Sequence, residues 1–262
     1  MKQNLKNARR SPWSAIAVIL AGLILTGSGF VAATASTSAA SDSPYTASQV
    51  DQGHKLFLSN CASCHGKNAE GTANAPSLYG VGAASVLFQV ETGRMPGAIS
   101  GPQLEVKPVQ FKQSDIDAMA AWVASLAPGP SAPTAAYLAQ KGDASRGGQI
   151  FRINCAMCHN AVGAGGALTG GKYAPALTHT SAAHIYEAMI TGPQNMPVFS
   201  NSDLTLTDKT DIITYLQAVQ TNPSIGGFDL GNLGPVVEGL FMWIFMLGGL
   251  VLLTMWLGAK SN

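Results

Sequence analysis

Cys61-Ala62-Ser63-Cys64-His65 and Cys155-Ala156-Met157-Cys158-His159 are the two stretches on which the fold turns. Wound on a helix, Cys-x-x-Cys-His carries two thiols to the two vinyl-derived carbons of one porphyrin and turns the adjacent imidazole onto the iron from the same side. The pattern predicts two haem c groups, with Cys61, Cys64, Cys155 and Cys158 as covalent tethers and His65 and His159 as axial iron ligands. A thioredoxin-like redox pair and half of a zinc site are the other uses of Cys-x-x-Cys. Two occurrences, each followed by His and each in the same context, favour haem. All four cysteines of the chain lie in these segments, so none is left for a structural disulfide.

The shared context is an internal duplication. Gly53-His54-Lys55-Leu56-Phe57 precedes the first motif as Gly147-Gly148-Gln149-Ile150-Phe151 precedes the second, displaced by the same 94 positions as the cysteines. Ser114-Asp115 and Thr207-Asp208 open two later apolar-periodic segments that reach Trp122 and Tyr215, displaced by 93. Each half predicts a short helix ending in the cysteine motif, a middle rich in Gly and Pro, and a closing helix capped by Ser or Thr. Gly53 with Phe57, and Gly147 with Phe151, are spaced to let the first helix cross closely over the last, against Trp122 or Tyr215. Strand-like alternation is scarce, so the expected fold class is all-α. At about 75 to 90 residues with few large apolar side chains, each half is marginal alone and needs the haem as core.

The second axial ligand must come from downstream. Met95 in Gly93-Arg94-Met95-Pro96 and Met196 in Pro193-Gln194-Asn195-Met196-Pro197 are the candidates, because proline fixes the backbone beside the thioether and stops a helix there. Met119, Met157 and Met189 read as gap-filling core. His54, His179 and His184 are rival ligands without equivalents in the two halves; His184 would make the second haem bis-His and lower its potential. An iron-bound His usually donates its other ring proton to a nearby acceptor, and Pro76 and Pro175 are placed to offer backbone carbonyls. Gly166-Ala167-Leu168-Thr169-Gly170-Gly171-Lys172-Tyr173 nearly spells a phosphate-binding loop. Tyr173 replaces the Ser or Thr and no strand precedes it, so a flexible loop is expected.

Over 262 residues only 11% are charged and the formal net charge is +1. That balance argues against nucleic acid as a partner and against a carrier steered by a strongly charged face. Lys2, Lys6, Arg9 and Arg10, then an apolar run from Trp13, read as an export signal, residues 1–40. Ala33-Thr34-Ala35 suits cleavage, whereas the length of the apolar stretch suits a retained anchor. Pro235 to Ala259 is about 25 residues, roughly 37 Å of helix, enough to cross a bilayer. No Lys or Arg lies between Trp13 and His54 or between Thr210 and Ala259, which puts both termini in the cytoplasm and the haem domains on the outer, periplasmic side of the cell membrane. The expected organisation is domain 1 over 41–127, a Pro-rich linker over 128–142, domain 2 over 143–221, a Gly-rich approach over 222–234 and a transmembrane helix over 235–259.

From Gly53 onward these residues resemble the dihaem cytochrome c subunit of the actinobacterial menaquinol:cytochrome c reductase, the cytochrome bcc complex. The likeness rests on both cysteine motifs, Thr92-Gly93-Arg94-Met95-Pro96, Gly170-Gly171-Lys172-Tyr173-Ala174-Pro175, Thr191-Gly192-Pro193-Gln194-Asn195-Met196-Pro197 and Gly234-Pro235-Val236-Val237-Glu238-Gly239. The resemblance implies two tandem class I cytochrome c folds beside a cytochrome b subunit and a Rieske iron-sulfur subunit, with an N-terminal signal or anchor helix and a C-terminal membrane helix. It implies electron flow from the Rieske centre through two haems to an aa-type cytochrome c oxidase. It also implies that Cys61, Cys64, His65 and Met95 hold one haem and Cys155, Cys158, His159 and Met196 the other, with Pro76 and Pro175 as the carbonyls that orient the histidines. Quinol chemistry belongs to another subunit. The rivals are a dihaem subunit of another membrane oxidase or dehydrogenase, and a dihaem peroxidase.

Overall fold

The computed structural model of the chain describes residues 12–37, 45–97, 103–221, 230 and 235–260. The chain separates into two compact units, Met1–Thr46 and Ala47–Asn262. The first unit contains one described helix, α1 (Pro12–Thr37), whose apolar stretch is Ala15–Ser28. Two of its hydroxyls bond within the helix: Thr26 Oγ1 donates to Gly22 O at 2.8 Å and Ser28 Oγ to Leu25 O at 3.2 Å. The expected basic leader at Lys2, Lys6, Arg9 and Arg10 lies outside the described residues.

In the second unit the duplication is visible element by element. Lobe 1 runs through α2 (Ala47–Asn60), the single turn α3 (Ala62–His65), α4 (Gly82–Glu91) and α5 (Gln113–Leu126). Lobe 2 repeats this as α7 (Ala144–Asn154), α8 (Ala156–His159), α9 (Ala182–Thr191) and α10 (Leu206–Thr221). The first helix crosses the last in both, and glycine permits the close approach: a Cβ on Gly53 would lie 1.9 Å from Ala118 O, and one on Gly147 1.9 Å from Asp211 O. One turn further on, Phe57 packs on Trp122 with ring centroids 4.3 Å apart, and Phe151 on Tyr215 at 5.6 Å. Both phenylalanines are fully buried.

The rest of the lobe 1 core mixes Ala83, Ala84, Ala118, Ala120 and Ala121 with Leu87, Phe88, Ile116, Met119 and Val123. Lobe 2 buries Ile185, Met189, Leu204, Ile212, Ile213 and Leu216. Met119 and Met189 are core residues as expected, but Met157 is 93% exposed, because its place in the motif turn faces away from the helix crossing.

Three sequence expectations need correction. Lobe 2 is not wholly helical: Gly166–Ala167 and Tyr173–Ala174 pair antiparallel as β1 and β2 around a 3-10 turn at Thr169–Gly171. The loop expected to be flexible is thus a paired hairpin, closed by Leu168 N donating to Lys172 O at 2.8 Å. The closing helices also begin earlier than expected. α5 starts after Lys112, without a side-chain cap, and α10 is capped by Thr205 rather than Thr207. In the third case, the Pro-rich connection does not act as a spacer. Ala84 N donates to Pro130 O at 3.1 Å on lobe 1, and a short helix, α6 (Ala135–Leu138), packs Tyr137 on Tyr186 of lobe 2 at 4.9 Å.

The last helix is continuous through α11 (Pro235–Met242), a π-helical turn at Trp243–Leu247, and α12 (Gly248–Ala259). Val236–Ala259 carries one charged residue, Glu238 near its start, is otherwise predominantly apolar and not buried, and at roughly 36 Å is long enough to cross a bilayer. Lys260 Nζ lies 4.6 Å over the Trp256 ring at its end. Apart from Leu230, the approach over 222–234 lies outside the described residues.

Candidate functional site

Each cysteine motif is built by the same break in the helix. At Cys61 (φ −122, ψ −29) and Cys155 (φ −122, ψ −33) the long helix stops, and one tight turn carries the chain to His65 or His159. The break is held by Cys61 N donating to Phe57 O and Cys155 N to Phe151 O, both at 2.8 Å. The turn ends in left-handed backbone, at Gly66 (φ 82) in lobe 1 and Asn160 (φ 66) in lobe 2, the two residue types that adopt it most readily.

The chain then loops back beneath the imidazole. Gly71 N donates to His65 O at 2.8 Å and Gly165 N to His159 O at 2.9 Å, and the loop delivers a proline carbonyl to the ring. His65 Nδ1 lies 2.8 Å from Pro76 O, and His159 Nδ1 lies 3.0 Å from Pro175 O. A carbonyl only accepts, so Nδ1 carries the proton and Nε2 is left with its lone pair. In lobe 2 the contact spans 16 residues instead of 11, and the β1–β2 hairpin absorbs the difference without moving the carbonyl.

In lobe 2, Cys155, Cys158, His159, Pro175 and Met196 line one cavity of about 550 Å³. Two thiols, an imidazole lone pair and a thioether around one mostly apolar space form the donor set of a haem tethered through thioethers, and the residues fit that group. Lobe 1 contributes to the same wall through Phe88, Arg94 and Lys107. In lobe 1, His65 is buried, Cys61 packs against the Phe57 and Trp122 cluster, and Met95 is half-buried on the loop after α4. Met95 N donates to Gln89 O at 2.9 Å.

The thiols separate the chemistries that share this motif. Burial, reinforced by the neighbouring Cys64, pushes Cys61 up to about 11, and burial with Cys158 does the same to Cys155. A reactive redox thiol pair needs the opposite shift. Burial also pulls His159 below its ordinary value, which favours the neutral imidazole that a metal requires.

Two of the three rival histidines have other partners. His54 stacks on Trp122 with centroids 4.9 Å apart, and His184 Nε2 lies 2.8 Å from Glu91 Oε2. His179 lines the cavity wall. Several residues of the site escaped notice in the sequence. Arg94 is buried with its guanidinium 4.9 Å over Phe88, and Lys209, fully buried, donates to Ser200 O, Asn201 Oδ1 and Leu204 O in the segment just after Met196. The signal for Lys209 was its position one turn before Ile212 and Ile213 and two before Leu216, on the apolar face of α10.

Two family models match the chain: Cytochrome c over residues 50–127, and Cytochrome C oxidase, cbb3-type, subunit III over residues 142–216. The cytochrome bc1 complex cytochrome c subunit of Corynebacterium efficiens is 41% identical over 281 aligned positions, covering 99% of this chain and 93% of that protein. The protein of the same name from Mycobacterium tuberculosis is 44% identical over 216 positions, 80% of this chain and 77% of the relative. This chain belongs to the family of actinobacterial bc1-complex cytochrome c subunits. The Cbb3-type cytochrome c oxidase subunit FixP of Azorhizobium caulinodans is 30% identical over 129 positions, 46% of this chain and 42% of that protein. As a bc1-complex cytochrome c subunit, the chain is a membrane-associated electron-transfer protein that binds haem c. The repeated helix crossing, motif turn and carbonyl-bound histidine are therefore the family's two cytochrome c domains seen side by side.

Proposed function

We propose that this subunit holds two haem c groups in series and passes electrons from a Rieske iron-sulfur centre to an aa-type cytochrome c oxidase. Cys61 and Cys64 would tether the first group, with His65 and Met95 as the residues that would hold its iron. Cys155 and Cys158 would tether the second, with His159 and Met196. Haem supplies the one-electron iron couple at each site. The protein's part is to fix the imidazole through Pro76 O or Pro175 O, to aim a thioether from the opposite loop, and to keep water from the cavity walls. The observation that carries this reading is the repeated Nδ1-to-carbonyl contact, 2.8 Å in one lobe and 3.0 Å in the other, on two motifs that share one architecture.

Family membership supports a cytochrome b subunit and a Rieske subunit as permanent neighbours, within an enzyme of the quinol–cytochrome c reductase class whose quinol site lies in another chain. The net charge of +1 suits fixed partners, the oxidase among them, better than capture by diffusion. We assign 41–127 and 143–221 to the two haem domains, facing the outer side of the membrane, with 235–259 as the C-terminal span and the segment before residue 40 as an N-terminal anchor. The absence of Lys and Arg on the outer flank of each apolar segment supports that orientation.

Replacing Met95 or Met196 by His tests the ligands. The expected result is one haem of lowered potential in a redox titration, with both haems still attached. An unchanged potential would reject that methionine. Tagging the chain and purifying from membranes tests the partners; recovery without cytochrome b and Rieske subunits would reject the assembly. A five-coordinate, high-spin resting spectrum would favour a peroxidase instead.

A further inference from the structure

Where α4 of lobe 1 meets α9 of lobe 2, three potential metal-ligand atoms converge. One carboxylate oxygen of Glu91, one ring nitrogen of His184 and one carboxylate oxygen of Glu187 all lie within 4.8 Å of one another. His184 and Glu187 are three residues apart on α9, which puts both on one helix face. The cluster is unlike an exposed acidic patch: Glu187 is 2% exposed, and the side chains of His184 and Glu91 are 21% and 19% exposed.

Its hydrogen bonding is incomplete. His184 Nε2 lies 2.8 Å from Glu91 Oε2, yet Glu187 Oε2 is buried with no hydrogen-bond partner. An unpaired buried carboxylate oxygen is costly, and two carboxylates on one imidazole leave the pocket short of positive charge. Burial, then the charge of Glu91, pushes Glu187 up to about 8.

We propose that Glu91, His184 and Glu187 are the protein ligands of a divalent transition-metal site, of the zinc class, that joins the two lobes. One imidazole with two carboxylates suits zinc better than calcium or magnesium, which take six or more oxygens or keep several waters. Two ionised carboxylates and a neutral imidazole balance a dication, and three protein ligands leave a fourth position for water. On binding, Glu187 and His184 release any protons they hold to solvent; no electron moves. Zinc bonds of about 2.0 to 2.2 Å require the ligand atoms to close in, and the unbonded Glu187 Oε2 is free to do so. Glu91 and His184 also line the lobe 2 cavity, but none of the three is among the haem ligands assigned above.

The experiment uses the full-length, haem-loaded chain in detergent, equilibrated with zinc and passed over a desalting column. Elemental analysis is expected to give one zinc for every two haem irons, and X-ray absorption at the zinc edge one imidazole nitrogen with oxygen neighbours and no sulfur. H184Q and E187Q on lobe 2, and E91Q on lobe 1, are each expected to lose the zinc while keeping their haem content. Absence of retained zinc in the unaltered protein, a sulfur neighbour in its spectrum, or equal zinc in all three variants would overturn the proposal. Loss in H184Q and E187Q but not in E91Q would overturn the bridging of the lobes.

Discussion

At the scale of single residues, the two glycines at the helix crossings carry the most weight per atom. Gly147→Ala would set a methyl 1.9 Å from Asp211 O, a backbone atom that cannot turn aside. The expected loss is about 1–3 kcal/mol, read as a lower thermal midpoint in the Soret circular dichroism. Gly148→Ala, where the methyl meets the movable Tyr215 ring at 3.0 Å, should cost less. Equal midpoints for the two variants would detach the crossing from stability. Lys209→Met removes three hydrogen bonds of a fully buried ammonium and should speed amide exchange over 199–204, with an expected cost above about 1 kcal/mol. Gly147 was legible in the sequence because a second copy, Gly53, stands at the same offset before the other motif. Lys209 was not, because two of its three partners are backbone carbonyls, which the order of side chains does not display.

The secondary-structure elements show why boundaries were harder to read than their existence. Both Thr205 and Thr207 stand before the apolar run of α10, and only the structure shows which one caps it. Thr205 N and Oγ1 donate to Asp208 Oδ2 at 2.8 and 2.7 Å, while Asp208 N donates to Thr205 Oγ1 at 3.2 Å, a reciprocal capping box. Hydrogen bonds from Thr205, then the Arg146 guanidinium, hold Asp208 below the usual carboxylate range. A carboxyl lowered by folding stabilises the protein fully above its unfolded pKa and loses that contribution as pH falls through the folded value. Asp208→Asn should therefore lower stability by about 1 kcal/mol at neutral pH and make acid unfolding shallower. An acid-unfolding curve identical to that of the unaltered protein would refute this role. The hairpin β1–β2 escaped notice for a related reason: two-residue strands rich in glycine carry no alternation to detect. Its use becomes clear only once the proline carbonyls of the two lobes are seen to occupy equivalent positions despite the longer loop.

For the molecule as a whole, the duplication and the long apolar C-terminal helix were readable because both are patterns of many residues. The seam between the lobes was not, since it joins positions 70 to 93 residues apart in the chain through polar side chains that no sequence pattern pairs. Gln103 Nε2 donates to Tyr173 O at 2.9 Å and accepts from Tyr173 N through Oε1 at 2.8 Å, imitating a strand beside the hairpin. Gln103→Ala should raise amide exchange at Tyr173 and Ala174 while leaving the motif turns protected; exchange unaltered at those two residues would mean that the seam does not depend on this side chain. Truncation before Pro235 should release the protein from membranes if the last helix is its principal anchor, and persistent membrane binding would assign that task elsewhere. The amide pairing at Gln103 has a kinetic consequence. Hydrogen bonds between neutral groups do not weaken as counterions are added, whereas encounters between oppositely charged carriers do. Tunnelling across this seam should accordingly behave as a first-order event, keeping its rate on dilution and at ionic strengths that would separate two freely diffusing cytochromes.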